Sequence, residues 1–245
     1  MGVGKVAAAA ALSAAVSVVC SGRVAALELD DTAPDRMLVF SGFDLWRHGS
    51  FTHGGLLWSP DGLDQTGFTF KLLVGGGSYR YRSGALGDVE VDGEQYALFA
   101  LPGWRFRSGA VTATVFAGFD IQRHRLTPDD PSSGLRGTVS GFRAGTEVWI
   151  EPSPGGMIAV DASFSTVGPS YGARAALGWR VAERFYVGPE IGGFAGDDSY
   201  NQLRVGLHVT AFRTGIYEWS AAAGWAWDSD ERESLYGRFG LLIRQ

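Results

Sequence analysis

The feature that most constrains this chain is a two-residue alternation that returns along nearly its whole length. In YEWSAAAGWAWDSD, residues 217 to 230, Tyr217, Trp219, Ala221, Ala223, Trp225 and Trp227 share one parity. Glu218, Ser220, Ala222, Gly224, Ala226 and Asp228 share the other. Successive side chains take opposite faces only in extended backbone, so a period of two predicts a β-strand. One face is apolar with large aromatics near both ends, and the other is polar or very small.

The same test succeeds elsewhere. Leu203, Val205, Leu207, Val209 and Ala211 oppose Arg204, Gly206, His208 and Thr210. Tyr171, Ala173, Ala175, Leu177, Trp179 and Val181 oppose Arg174, Ala176, Gly178 and Arg180. Residues 110 to 122 set Val111, Val115, Phe119 and Ile121 against Thr112, Thr114, Asp120 and Gln122. Phe142, Val148 and Ile150 oppose Arg143, Glu147 and Glu151, and Leu235, Phe239, Leu241 and Ile243 oppose Tyr236, Arg238 and Arg244. Weaker alternation lies around residues 37 to 46, 53 to 59, 67 to 80, 94 to 106, 157 to 165 and 185 to 194. The expectation is an all-β antiparallel fold of about twelve strands with no convincing helix.

The first residues do not belong to this pattern. Lys5, an apolar run to Cys20 and the small residues Val24, Ala25 and Ala26 compose a secretory signal peptide over residues 1 to 26, and residues 27 to 35 read as an extension. The apolar run is about 15 residues, short for a spanning helix of roughly 20. Without Lys5 and Arg23, 19 of the 21 basic residues face 26 acidic ones, a net charge of −7. Cys20 is the chain's one cysteine, so the exported protein has no disulfide, thiolate nucleophile or cysteine metal site.

Whether the apolar face points in or out decides between a soluble barrel and a transmembrane one. Facing away from the apolar side chains are mostly Gly, Ser, Thr and Ala with single charges of both signs, and Lys71 is the only lysine after the leader. Tyr217 with Trp225 and Trp227, and Tyr171 with Trp179, stand about 8 to 10 residues apart on the apolar face, the separation of two interfacial aromatic girdles. Segments of roughly 9 to 11 alternating residues also suit a tilted crossing of a bilayer. The connections sort as well. SGALGDVEVDG, HRLTPDDPSSGLRG, AGDDSYN and DSDERES follow odd-numbered segments, whereas the very short SG, AER and TG, with the somewhat longer PSPGG and PDGLDQTG, follow even-numbered ones. Residues 36 to 245 are therefore expected to form an antiparallel up-and-down transmembrane β-barrel in lipid, with the charged face lining its lumen.

The expected lumen network is Lys71, Arg105, Asp120, Arg143, Glu147, Asp161, Arg174, Glu190, Arg204, His208, Glu218 and Arg238, with Arg180 and aromatics such as Phe99, Phe116 and Tyr236 on the same side. Mixed signs predict paired ladders, because an isolated charge in a low-dielectric interior is costly. A narrow oligosaccharide channel is the open-lumen alternative. Catalytic and metal-binding signals are weak. His208 beside Thr210 suits a histidine satisfied within the lumen, with a serine-orienting role in an outer-membrane hydrolase or lipid A-modifying enzyme as the alternative. His48 and His53 read as loop histidines, and the triple glycine at 75 to 77 as a close strand contact rather than a phosphate loop. No cofactor is expected, and no basic patch interleaved with aromatics points to nucleic acid. A soluble periplasmic barrel that binds a ligand is a third reading.

Several runs carry a family resemblance: FSGFDLWRHGSFTHGGLLWSPDGLDQTGFTFKLLVGGGSYRYRSGALG, ALPGWRF, HRLTPDDPSSGLRG, SFSTVGPSYGARAALGWR, RFYVGPEIG and TGIYEWSAAAGWAWDSD. Together they resemble the bacterial cellulose biosynthesis protein BcsS family over residues 36 to 245. The resemblance implies a non-enzymatic accessory protein of Gram-negative cellulose production in the outer membrane. Cellulose or other export components would be its partners, and the family carries no catalytic motif to transfer.

Overall fold

The computed structural model describes residues 34–196, 201–229 and 233–245. The expected leader at 1 to 26 and most of the extension at 27 to 35 lie outside them. Each alternating segment forms a strand: β1 (Met37–Trp46), β2 (Gly49–Trp58), β3 (Gly67–Ser83), β4 (Val89–Ser108), β5 (Val111–Thr127) and β6 (Gly137–Ser153). They continue as β7 (Gly156–Ser165), β8 (Ser170–Val181), β9 (Phe185–Ala195), β10 (Asn201–Thr214), β11 (Tyr217–Asp228) and β12 (Glu233–Arg244). Every strand pairs antiparallel with its sequence neighbours, and β12 returns to β1 in a register running from Leu38 opposite Arg244 to Trp46 opposite Tyr236. The result is a closed up-and-down barrel in which every strand has a paired neighbour on each side. Among the described residues the only helical turn is the 3₁₀ turn Gly84–Leu86.

The start of β1 and the C-terminal residue sit at one rim. Gln245 is held there by backbone hydrogen bonds to Met37 in both directions, and the β2–β3 connection closes over the same rim through Leu63 N–H to the Asp35 carbonyl at 2.7 Å. At the far rim the wall is uneven, because β3 to β6 have 17, 20, 17 and 17 residues whereas β1 and β2 have 10 each. This corrects two expected loops. Most of SGALGDVEVDG and the ends of HRLTPDDPSSGLRG are strand, since β4 begins at Val89, β5 runs to Thr127 and β6 begins at Gly137. Their charges hid a continuing alternation: Arg80 and Asp92 are outward partners, while Tyr81 and Val91 between them are buried.

The parity assignment holds across the barrel except at one point in β10. Between Val209 and Phe212 the register with β11 slips, and Ala211 adopts φ 64°. The extra residue of this bulge reverses the alternation. Ala211, expected outward, is buried, and Phe212 turns outward against Phe185.

The interior is a packed core in layers. Leu38, Leu57, Leu63, Leu101, Trp149 and Leu242 belong to an apolar cluster that fills the end near the termini. Tyr79, Tyr81, Val91 and Leu126 form a second cluster toward the far rim, closed by Leu135 and Val167 from the connections after β5 and β7. Charged and amide side chains occupy the space between. The expectation of a mostly small and polar inner face is corrected accordingly: large apolar side chains fill both ends. Outside, the wall is also apolar, with Phe119 at 72%, Leu207 at 65% and Leu235 at 68% exposed.

Candidate functional site

The inward charges form connected groups rather than a single-signed track. In the first, Asp120 is fully buried and receives hydrogen bonds from Arg143 Nε at 3.0 Å, Gln122 Nε2 at 2.9 Å and Ser165 Oγ at 2.6 Å. Gln122 in turn accepts from Gln95 at 2.7 Å and contacts His124, whose other ring nitrogen meets the Tyr79 hydroxyl at 3.0 Å. Arg143 lies 4.1 Å over the Phe99 ring, and Lys71, paired with Glu147, lies 4.4 Å over Phe116. Cations stacked on these rings keep the aromatic faces from sugars. A cavity of about 50 Å³ bounded by Lys71, Arg143, Glu147 and Asp161 is the space left here.

The second group runs through the opposite wall. Asp161 accepts from Arg174 at 2.5 and 2.9 Å, and Arg174 reaches Glu190 at 3.4 Å. Glu190 also accepts from the Tyr236 hydroxyl at 2.9 Å and from Arg238 at 2.5 Å. Arg204 pairs with Asp44 at 3.2 Å and is flanked by the rings of Trp46 and Tyr236 at 5.0 and 5.4 Å. Each cation thus has an acid within reach, the condition under which buried charge is tolerated.

The remaining expected residues stand apart from both groups. Arg105 donates to the Leu63 carbonyl and to Thr114 Oγ1 at 3.3 Å, which ties the terminal rim's connection to the wall. Glu218 accepts from Arg213 at 2.9 Å, and Arg180 contacts Tyr186, both near the same rim. His208 is buried in the wall. Its Nε2 lies 3.0 Å from the Leu177 carbonyl and must donate there, so Nδ1 accepts from the Thr210 hydroxyl at 3.0 Å. That leaves no lone pair to take a serine proton.

Asp44, Gln95, Gln122 and His124 are functional neighbours that the sequence reading did not single out. Asp44 shares parity with Leu38 and Phe40, and a lone acid on an inward face was its signal. Gln95 and Gln122 keep the parity of Phe99 and Asp120 within the expected strands, and His124 continues it past the expected end of its strand at residue 122. His53, expected in a loop, lies on β2 and is buried between Phe40 and Phe51, with Nδ1 lacking a hydrogen-bond partner. Among the described residues no group of three or more His, Cys, Asp or Glu is placed to hold a metal ion.

At the far rim the connection 128–136 folds inward over the lumen. Asp130 is fully buried and accepts from the Tyr81 hydroxyl at 2.9 Å and the Ser132 hydroxyl at 2.5 Å. Burial pushes its carboxyl up, but the hydrogen bonds from Ser132 and Tyr81 outweigh that and hold it below the ordinary carboxylate value. Leu135 packs beside Val167 and Gly168, and its N–H is held by Ser133 Oγ at 3.2 Å.

On the outside, Tyr171 and Trp179 are 57% and 61% exposed near opposite ends of β8. Tyr217 lies at the terminal-rim end of β11, and Trp225 and Trp227 lie at its far end. Tyr217, Trp219, Phe239 and Phe43 continue as a ladder of ring contacts around the wall.

A sequence model described as cellulose biosynthesis protein BcsS matches residues 38–245. No curated protein sequence matches the chain. Among solved structures, an outer-membrane channel from Pseudomonas putida F1 is similar with a TM-score of 0.56 at 10% identity, covering 91% of this chain and 100% of that one. A deletion mutant of the monoaromatic hydrocarbon channel TodX gives 0.52 at 8% identity, covering 86% and 90%. At these identities the likeness concerns the barrel fold alone.

Proposed function

Because this chain belongs to the cellulose biosynthesis protein BcsS family, we propose that it is an outer-membrane barrel assisting bacterial cellulose production at the cell surface without catalysing a reaction. The exterior supports the membrane placement. Outward positions are apolar from Tyr96 to Phe106 on β4 and from Val111 to Ile121 on β5, the roughly 9 to 11 residues a tilted strand needs to cross. The termini rim then faces the periplasm and the raised β3–β6 wall faces outward, with lipid as the exterior's solvent.

The observation that carries the accessory role is the way the described residues fill the lumen. A cavity of about 50 Å³ has room for a few water molecules and not for a hexose ring. Among the described residues, ion pairs and stacked rings occupy the middle, and apolar clusters pack toward both ends. A glucan chain therefore meets this protein at its outer connections and rim. The role left to the barrel is to hold that surface, or another export component, at the outer membrane. Deleting the gene should reduce extracellular cellulose. Restoration by the wild-type gene but not by versions lacking the connections after β5, β9 and β11 would support the reading, and unchanged cellulose after deletion would overturn it.

A further inference from the structure

The apolar exterior of β4 and β5 stops abruptly. Beyond Tyr96 the next outward residue of β4 is Glu94, and beyond Ile121 the next outward residues of β5 are Arg123 and Arg125. Both side chains are exposed and make no ion pair or hydrogen bond among the described residues. Arg80 on β3 differs, because Asp92 at 2.7 Å and Glu90 at 3.4 Å neutralise it.

Beside these arginines the wall is concave. One row of the sheet carries Thr52, Gly76, Tyr96 and Arg123, and the next carries Ser50, Ser78, Glu94 and Arg125. Small residues on β2 and β3 leave an open groove of about 720 Å³ on the outside. A Cβ on Gly76 would stand 3.1 Å from the Tyr96 ring, so that ring lies across the glycine and forms one wall of the groove. Ser50 and Ser78, partners on β2 and β3, lie 3.3 Å apart in its lining.

We propose that this groove and the two arginines seat the phosphorylated sugar headgroup of an outer-leaflet glycolipid. The inference rests on the membrane placement given above. Three chemistries coincide at the edge of the apolar band. Guanidinium forks match phosphate oxygens. Hydroxyls and the Glu94 carboxylate match sugar hydroxyl and amide groups. The aromatic face of Tyr96 matches a sugar's C–H face. A phospholipid offers phosphate without the sugar, and a neutral glucan offers sugar without the phosphate. A glycolipid bearing phosphate supplies both while its acyl chains lie along the apolar wall below.

Native mass spectrometry of the detergent-purified barrel tests this with five probes: bisphosphorylated lipid A, its dephosphorylated form, phosphatidylglycerol, inorganic phosphate and cellohexaose. Bisphosphorylated lipid A is expected to bind at least tenfold more tightly than any other probe. Arg123→Gln with Arg125→Gln should lose at least tenfold of that affinity, and Thr52→Trp, which fills the groove, should do the same. Heat-modifiable migration of both variants on a denaturing gel shows that the barrel itself has formed. Equal binding of the dephosphorylated lipid, phosphatidylglycerol or phosphate would overturn the proposal. So would preferential binding of cellohexaose, undiminished binding by either folded variant, or a groove that proves to be buried between two copies of the chain. Extraction of the wild type without detergent would instead overturn the membrane placement, so the two failures are distinguishable.

Discussion

Asp120 shows how much a single inward residue carries in this barrel. It is the acceptor for Arg143, Gln122 and Ser165 at once. Asp120→Ala leaves the Arg143 cation buried beside Phe99, and the expected loss is about 3 to 5 kcal/mol. Asp120→Leu combined with Arg143→Leu removes both charges and should recover most of it. Urea unfolding in lipid vesicles measures both. On the other face, Ala221 is outward between Val209 and Phe239, while Ala222 is inward opposite His208 and Arg238. Ala221→Arg should cost about 2 to 4 kcal/mol near the bilayer midplane, and Ala222→Ser little; equal tolerance would reverse the assignment of faces. Parity placed the charged residues on one side because strand geometry alternates without regard to distant neighbours. Their partners were not legible, since Asp120 meets Ser165 two strands away and Glu190 meets Arg238 three strands away. Such contacts depend on closure and register.

Among the elements, the connection 128–136 decides the state of the far rim. Asp130, Leu135 and Val167 seat it in the mouth, and behind it lies the Gln95, Gln122 and His124 layer. Replacing residues 129 to 136 by a two-glycine turn should raise single-channel conductance in planar bilayers above the near-closed wild type. An unchanged trace would show that the deeper packing alone seals the barrel. The lowered Asp130 carboxyl fixes the sign of a pH effect. Docking favours the ionised form, so its contribution is complete above the ordinary carboxylate value and is lost as pH falls below about 4. Protease cleavage within this connection should be constant from pH 8 to 5 and rise below 4, and Asp130→Asn should abolish that dependence. The sequence reading placed this segment among the long connections without separating Asp129 from Asp130, which look alike in sequence. Asp129 is exposed and pairs with Arg136, whereas Asp130 is buried under Tyr81. Only the fold of the connection separates them. The raised strands were missed for a related reason: above the apolar band the outward side chains become charged, which resembles a loop until the inward ones are followed.

At the scale of the whole molecule, a wall that is apolar outside and packed inside predicts a barrel that resists detergent. The membrane fraction should show folded protein migrating differently from boiled protein on a denaturing gel, and an absence of that shift would count against the transmembrane reading. What the amino-acid sequence determined by itself is the part governed by neighbours in the chain. The period of two made the elements strands and sorted their faces, the lengths of the connections alternated the rims, and the distinctive runs marked the family. The tertiary structure decided what neighbours in the chain do not encode. Closure of β12 on β1 sets which inward charges meet, the bulge at Ala211 reverses one strand's parity, and an inward-folded connection turns an expected lumen into a core. The physical reason is that a strand's alternation is local geometry, whereas filling a barrel requires side chains from all its strands to share one interior volume.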